Sequence, residues 1–183
     1  MKITFIRHFK TNGNIEKRYV GTTDEDIISQ ELKIKYPKAE MVFTSPLKRC
    51  LQTARVIYGD MPICIEEDLR EMNFGEFEYK NYEELKENKN YLCWLDSGGK
   101  IPFPKGENPE DFIKRSVAGF FKCIAKAQDC EKITFVIHGG SIMAILSQLT
   151  ENTNFYDFQS KNGCGFITNY EFGRLVVTGE INE

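Results

Sequence analysis

Two stretches far apart in this chain read alike: Lys2-Ile3-Thr4-Phe5-Ile6-Arg7-His8 and Lys132-Ile133-Thr134-Phe135-Val136-Ile137-His138. Each is a short β-branched and aromatic run that ends in a histidine. Their apolar residues fall on consecutive rather than alternate positions, which suits a strand covered on both faces and therefore a parallel sheet between layers of helix. Met41-Val42-Phe43-Thr44 and Pro62-Ile63-Cys64-Ile65 fit the same pattern. Near the end, Phe166–Tyr170 and Leu175–Thr178 flank Phe172-Gly173-Arg174 and read as a hairpin. The expected fold class is α/β, a three-layer α/β/α sandwich whose mostly parallel central sheet carries an antiparallel edge strand.

Helices are expected between these runs. Ser45-Pro46 places a capping residue and a first-turn proline ahead of Leu47, Leu51, Ala54 and Val56. Asn108-Pro109-Glu110-Asp111 opens a second helix, with acids in its first turn and an apolar stripe through Ile113, Val117, Phe120, Phe121 and Ile124. A third follows Gly139-Gly140-Ser141 to Leu149. Residues 72–105 differ in character: Tyr79, Tyr82, Tyr91, Trp94 and Phe103 stand among many charges, and the segment reads as a cap-like insertion over the site. With no linker-like stretch, residues 1–183 are expected to form one domain.

Composition narrows the partners. Lys and Arg number 24 against 27 Asp and Glu, a net charge of −3, so no chain-wide positive field is available to hold nucleic acid or an anionic membrane. Any anion site must be local. The apolar run in MKITFIRHFKT is too short for a secretion signal, and nothing in the sequence is long enough to span a bilayer. The 6 cysteines are scattered without C-x-x-C pairs, which points to a reduced, cytoplasmic protein.

The chain holds 2 histidines, and both fall at the ends of expected parallel strands, the edge where open α/β sheets place their ligands. Either one alone could merely cap its strand; both together point to chemistry. Arg7 precedes His8, and Gly139-Gly140 follows His138 with backbone N–H groups that can approach an anion closely. Arg49 lies in the first turn of an expected helix, where its planar fork suits a phosphate; by spacing alone a solvated surface role is equally open to it.

These motifs, Arg7-His8 after a first strand, Ser45-Pro46-Leu47 leading to Arg49 and Thr53-Ala54, Leu69-Arg70-Glu71, and His138-Gly139, resemble the histidine phosphatase superfamily, also called phosphoglycerate-mutase-like. The resemblance runs through nearly the whole chain in the right order. Glu71 through Glu78, Trp94 with Gly106-Glu107, and Asn162-Gly163-Cys164 are similar to the alpha-ribazole phosphatases of cobalamin synthesis. The resemblance implies a phosphoglycerate-mutase-like fold and hydrolysis of a small phosphorylated substrate through a phosphohistidine on His8. It implies Glu71 as general acid, with Glu76 and Glu78 as nearby competitors, and Arg7, Arg49, His138 and the Gly139 N–H as donors to the phosphoryl oxygens. Asn14 and Thr11 are added as neutral donors, with Gly21 and Thr22 near the substrate; Thr11 and Thr22 also read as ordinary loop residues satisfying local turns. No metal and no other cofactor is implied. Should the substrate be alpha-ribazole 5′-phosphate, Tyr79, Tyr82, Trp94 or Phe103 could stack on its base, or else form the insertion's own small core.

The chain departs from the family where Phe9 and Lys10 stand in place of the usual Gly and Glu. If that position needs close backbone approach or positive φ, Phe9 carries a steric cost, which motivates a rival reading as a phosphate-binding protein with weakened turnover. Another small phosphomonoester, or a mutase reaction, is the alternative within enzymes. Cys64 and Arg70 have the spacing of a C-x5-R loop, but the intervening Ile-Glu-Glu-Asp-Leu would repel a phosphate. Ser141 lacks a G-x-S-x-G context, and His8 and His138 lack the companions of a zinc site.

Overall fold

A computed structural model describes residues 1–28, 32 and 34–182. Six strands form one sheet in the order β3-β2-β4-β1-β5-β6: β1 (Lys2–Arg7), β2 (Met41–Thr44), β3 (Ile63–Ile65), β4 (Lys132–Ile137), β5 (Gly165–Glu171) and β6 (Arg174–Ile181). The two look-alike stretches are β1 and β4. They pair directly and in parallel, Lys2 against Lys132 through Arg7 against Ile137, so their terminal histidines emerge side by side. β2 continues the parallel set on β4, and β3 on β2. The hairpin supplies β5, antiparallel to β1, and β6 beyond it as the edge.

Consecutive apolar residues serve two faces. Ile3, Phe5, Phe43, Ile133, Phe135 and Ile137 pack on one side, beneath α5 (Pro109–Lys126) and α6 (Gly139–Leu149). Ile6, Val42 and Val136 pack on the other, against Ala54 of α2 (Lys48–Tyr58). Register carries the packing across strands: Phe5, Phe135 and Phe43 align, their rings stacked with centroids 5.3 Å apart in each step, and Phe120 of α5 lies 5.4 Å from Phe135. Removing such a ring would leave a cavity worth roughly 3–5 kcal/mol.

Asn108 caps α5 by accepting from the Glu110 amide, with Pro109 in the first turn, as its sequence predicts. The cap of α2 differs from expectation. The helix begins at Lys48, and Leu47 at its N-cap makes no side-chain cap bond. Instead the Lys48 amide donates to Asp24 Oδ1 at 2.8 Å, because the loop before it lies across the helix start and frees Ser45 for another partner.

Residues 72–105 contribute α3 (Tyr82–Leu85) and α4 (Lys89–Asp96). Phe77, Leu85, Tyr91 and Phe103 form a separate apolar cluster there, with Tyr19, Phe74 and Trp94 against it. Among the described residues no helix is long and apolar enough to cross a membrane.

Candidate active site

The parallel pairing of β1 and β4 continues one residue beyond the strands, where the His8 amide donates to the Ile137 carbonyl at 2.9 Å. The two imidazoles therefore meet edge to face, with centroids 5.3 Å apart. A cleft of about 770 Å3 opens over this point, with Arg7, His8, Asn14, Glu71, Gly139 and Gly140 in its wall.

His8 is buried, and its Nδ1 lies 2.7 Å from the Phe9 carbonyl. A carbonyl only accepts, so Nδ1 carries the proton and Nε2 keeps its lone pair. Burial, then the charges of Arg49 and Arg7, push the His8 pKa well below its ordinary value, and the bond to Phe9 opposes them. The ring is held neutral, as a nucleophile requires. His138 has the opposite tautomer: Nδ1 accepts from Arg49 Nε at 3.3 Å, so Nε2 donates to Ser45 Oγ at 2.8 Å. Burial, Arg49, His8 and Arg7 push its pKa down as well.

Three groups share the cleft wall with His8. The Arg7 guanidinium is anchored by Nη1 on the Ser160 carbonyl at 2.7 Å, while its buried Nε has no hydrogen-bond partner among the described residues. Gly139, the first residue of α6, lies so close that an added methyl would stand 3.3 Å from that Nε; its own amide has no acceptor within the helix. Glu71 accepts from the Met72 amide at 2.9 Å and the Gly140 amide at 3.1 Å. Burial raises its pKa above the usual carboxylate value, against the pull of those two amides and of Arg49 and Arg7. An arginine, a helix N-terminus and a carboxyl whose pKa is raised are together able to meet an anion and to exchange a proton with it.

Asn14 also lines the cleft. Its Oδ1 accepts from the Thr11 amide and from Asn162 Nδ2, which turns the amide nitrogen outward as a donor. Thr11 itself is buried and caps α1 (Asn12–Ile15) through Asn14, so its hydroxyl serves the turn rather than the cleft. Gly21 and Thr22 do not line the cleft either; the Gly21 amide donates to Glu78 Oε1 at 2.9 Å. Glu78 is thereby a loop anchor, and Glu76 pairs with Lys105 at 2.8 Å.

Arg49 is wholly buried and is not among the residues that line the cleft. Its nitrogens donate to His138 and to the carbonyls of Thr23, Val20 and Gly21, since the 20–23 loop brings those acceptors around it. Phe9 carries none of the backbone strain its position raised as a concern, for it is not among the residues with positive φ. Its amide donates to Thr53 Oγ1 at 2.9 Å, and its ring lies against Tyr36 and Gly163. Gly163, at φ 78°, provides the space: a methyl there would stand 3.2 Å from the Phe9 ring.

Several residues that position this site gave little sequence signal. Ser141 Oγ donates to the Leu69 and Arg70 carbonyls, and Arg115 donates to those of Asp68, Arg70 and Glu71 while pairing with Glu107 at 2.8 Å. Together they hold the strand of chain that delivers Glu71. Arg115 sits on the expected second helix but off its apolar stripe, and nothing local marks its partners.

Of the aromatic residues singled out in the insertion, Trp94 and Phe103 line the cleft, joined by Tyr19, Phe74, Phe112 and Tyr156. Trp94 packs against Tyr91 and Phe103, at 5.9 and 4.9 Å. Tyr79 instead stacks on Arg18 and donates to Glu25, and Tyr82 lies on Tyr91.

The sequence matches a family model described as histidine phosphatase superfamily (branch 1) over residues 3–180. A protein of Hydrogenobacter thermophilus provisionally named phosphoserine phosphatase 2 is 30% identical over 81% of this chain and 78% of its own. The adenosylcobalamin/alpha-ribazole phosphatase of Escherichia coli is 26% identical over 97% of this chain and 95% of its own. Among solved structures, the alpha-ribazole phosphatase from Shigella flexneri superposes with a TM-score of 0.86 at 22% identity, covering 100% of this chain and 96% of that one; at that identity the likeness is one of fold.

Proposed function

The chain belongs to the histidine phosphatase superfamily, and from that premise we propose that it hydrolyses a phosphomonoester through a phosphohistidine on His8. The observation that carries this reading is the tautomer of His8, whose Phe9 bond leaves Nε2 unprotonated in a cleft beside Arg7 and Glu71. Nε2 attacks phosphorus as the ester oxygen departs; the P–N bond forms, the P–O bond breaks, and the Phe9 carbonyl supports the positive imidazole. Glu71, in its acid form, gives its proton to the departing oxygen. As carboxylate it then takes one from the water that cleaves P–N, releasing phosphate and restoring both groups. Arg7, the Gly139 amide and the Asn14 amide meet the charge on the transferring oxygens. The Arg49 charge adds to the burial that keeps His8 neutral, and the His138 ring packs edge to face on it. Phe9 fits without strain, which removes the motive for a binding protein without turnover.

The proposed substrate is alpha-ribazole 5′-phosphate. Support comes from the size of the cleft and its aromatic wall, and from the end-to-end likeness to enzymes of that name. Tyr156, half-exposed and, among the described residues, in ring contact only edge-on with Phe155, is the ring we assign to lie on a flat base. The test is phosphate release from alpha-ribazole 5′-phosphate beside phosphoserine, sugar phosphates and 3-phosphoglycerate, with His8→Ala as control. Preference for the ribazole ester, lost in the variant, is expected. Release only from the others would keep the mechanism and discard the substrate.

A further inference from the structure

The segment before β5 carries Asn162-Gly163-Cys164, a motif that the mechanism above leaves without a task. In the structure, residues 160–164 bracket the C-terminal end of β1. The Ser160 carbonyl accepts from Arg7 Nη1 at 2.7 Å, the Gly163 amide donates to the Arg7 carbonyl at 2.9 Å, and the Arg7 amide donates to the Cys164 carbonyl at 2.9 Å. Asn162 reaches one residue further. Its Nδ2 donates to the His8 carbonyl at 3.0 Å and to Asn14 Oδ1 at 3.1 Å. Asn162 is half-buried and is not among the residues that line the cleft.

The donor count explains why an amide stands there. A carbonyl oxygen only accepts, so the Asn162 atom facing His8 is its nitrogen. Asn14 Oδ1 accepts from the Thr11 amide at 3.2 Å, which marks it as the oxygen and as the second acceptor for that same nitrogen. Both hydrogens of one NH2 group are thereby used. A serine hydroxyl could serve one of the two acceptors, and an aspartate carboxylate neither. Asn14, for its part, cannot turn over without setting its own NH2 group against two donors, so its nitrogen is kept for the cleft. The His8 peptide is likewise held on both sides, its amide on the Ile137 carbonyl at 2.9 Å and its carbonyl on Asn162.

We propose that Asn162 is a positioning residue for phosphoryl transfer. Through one nitrogen it fixes the backbone of the nucleophile and the polarity of the Asn14 donor relative to each other, without itself touching the ester. This rests on the phosphohistidine reading above and adds to it a residue outside the cleft. Its effect is preorganisation: the donor already faces the transferring oxygens before charge develops on them.

The experiment is a double-mutant cycle on the full chain, with p-nitrophenyl phosphate as substrate, comparing the parent with Asn14→Ala, Asn162→Ala and the double variant. Asn162→Ala is expected to lower kcat/KM about tenfold. Without Asn162 the Asn14 amide is free to turn, so much of the Asn14 contribution is already gone; the double variant should lose about fivefold less than the product of the two single losses. A purely structural role for Asn162 would instead make the losses multiply. Should Asn162→Ala not fold, as judged by thermal unfolding, Asn162→Asp keeps the shape without the donors and takes its place in the same cycle. Parental kcat/KM in the Asn162 variant, or losses that multiply, would overturn the proposal while leaving the phosphohistidine standing. No turnover by the parent would remove the phosphohistidine reading, and the cycle is then read in calorimetric affinity for inorganic phosphate, where coupling supports the role and additivity overturns it. No phosphate binding by the parent would remove both.

Discussion

The ends of β1 and β4 are the same motif given two different fates. Both strands deliver a buried, neutral histidine to one edge of the sheet, with centroids 5.3 Å apart. At His8 one ring nitrogen is held by a backbone carbonyl and the other has no partner among the described residues. At His138 both are engaged, by Arg49 and Ser45. The difference lies in the path of the chain beyond each strand. After His8 the chain turns back so that the Phe9 carbonyl faces the ring, whereas after His138 it enters α6 directly, with His138 as N-cap, and its ring is turned toward α2. On the proposed mechanism, reactivity follows from an unmade hydrogen bond, not from residue type.

The sharpest way to break this comparison is to exchange the losses. His8→Ala is expected to lower turnover by roughly 10⁴-fold or more and to leave no acid-quenched phosphohistidine. His138→Gln should still trap label on His8, at a reduced rate; label on neither, with the protein folded, would give the two rings equal standing. Next in size is Glu71→Gln, expected to lower kcat by about 10²–10⁴-fold with little change in KM, the loss shrinking for a p-nitrophenyl ester whose leaving group needs no proton. Gly140→Ala tests the same carboxyl indirectly. A methyl there would overlap Glu71 Oε1, so a fall of about 10²-fold is expected from misplacement alone, and an unchanged kcat would show that the Gly140 contact does not position the acid.

Acidity gives a smaller effect. The folded-state pKa values of His8 and His138 are both lowered, so the unfolded chain binds their protons first. Stability from each is present above about pH 6.5 and declines below it, by at most about 1.4 kcal/mol per pH unit per ring until the folded-state value is reached. Urea unfolding between pH 7 and 5 should show a shallower decline in His138→Gln than in the parent. For catalysis the signs differ: a lowered His8 pKa keeps the nucleophile active below pH 6.5, and a raised Glu71 pKa extends the acid form upward, so kcat/KM should rise as pH falls from 7 toward 6. The smallest change in turnover is expected for Gly163→Ala, which meets positive φ and the Phe9 ring. It should destabilise the fold by about 1 kcal/mol or more in thermal unfolding and change kcat less than threefold.

Much of this was readable in the order of residues. Consecutive apolar positions in Lys2–Arg7 and Lys132–Ile137 imply a two-sided strand, and Asn108-Pro109 with its acids implies a helix start, because period and capping are local physics. The family motifs named His8, Arg7, Glu71 and Asn14, all of which line the cleft. Other features depend on which distant acceptor lies nearest once the layers pack. Arg49 follows a phosphate-binding pattern in sequence, yet its guanidinium is taken by carbonyls of the 20–23 loop. Arg115 reads as a surface residue, yet it holds the carbonyls of Asp68, Arg70 and Glu71. Phe9 needs no positive φ, and its ring lies where Gly163, far away in the chain, leaves room. Strand pattern, helix caps and motif identity are properties of neighbouring residues and travel with the chain. Tautomer, free lone pair and emptied space are relations between groups from different elements, and they come into being only when packing brings those elements within hydrogen-bond reach.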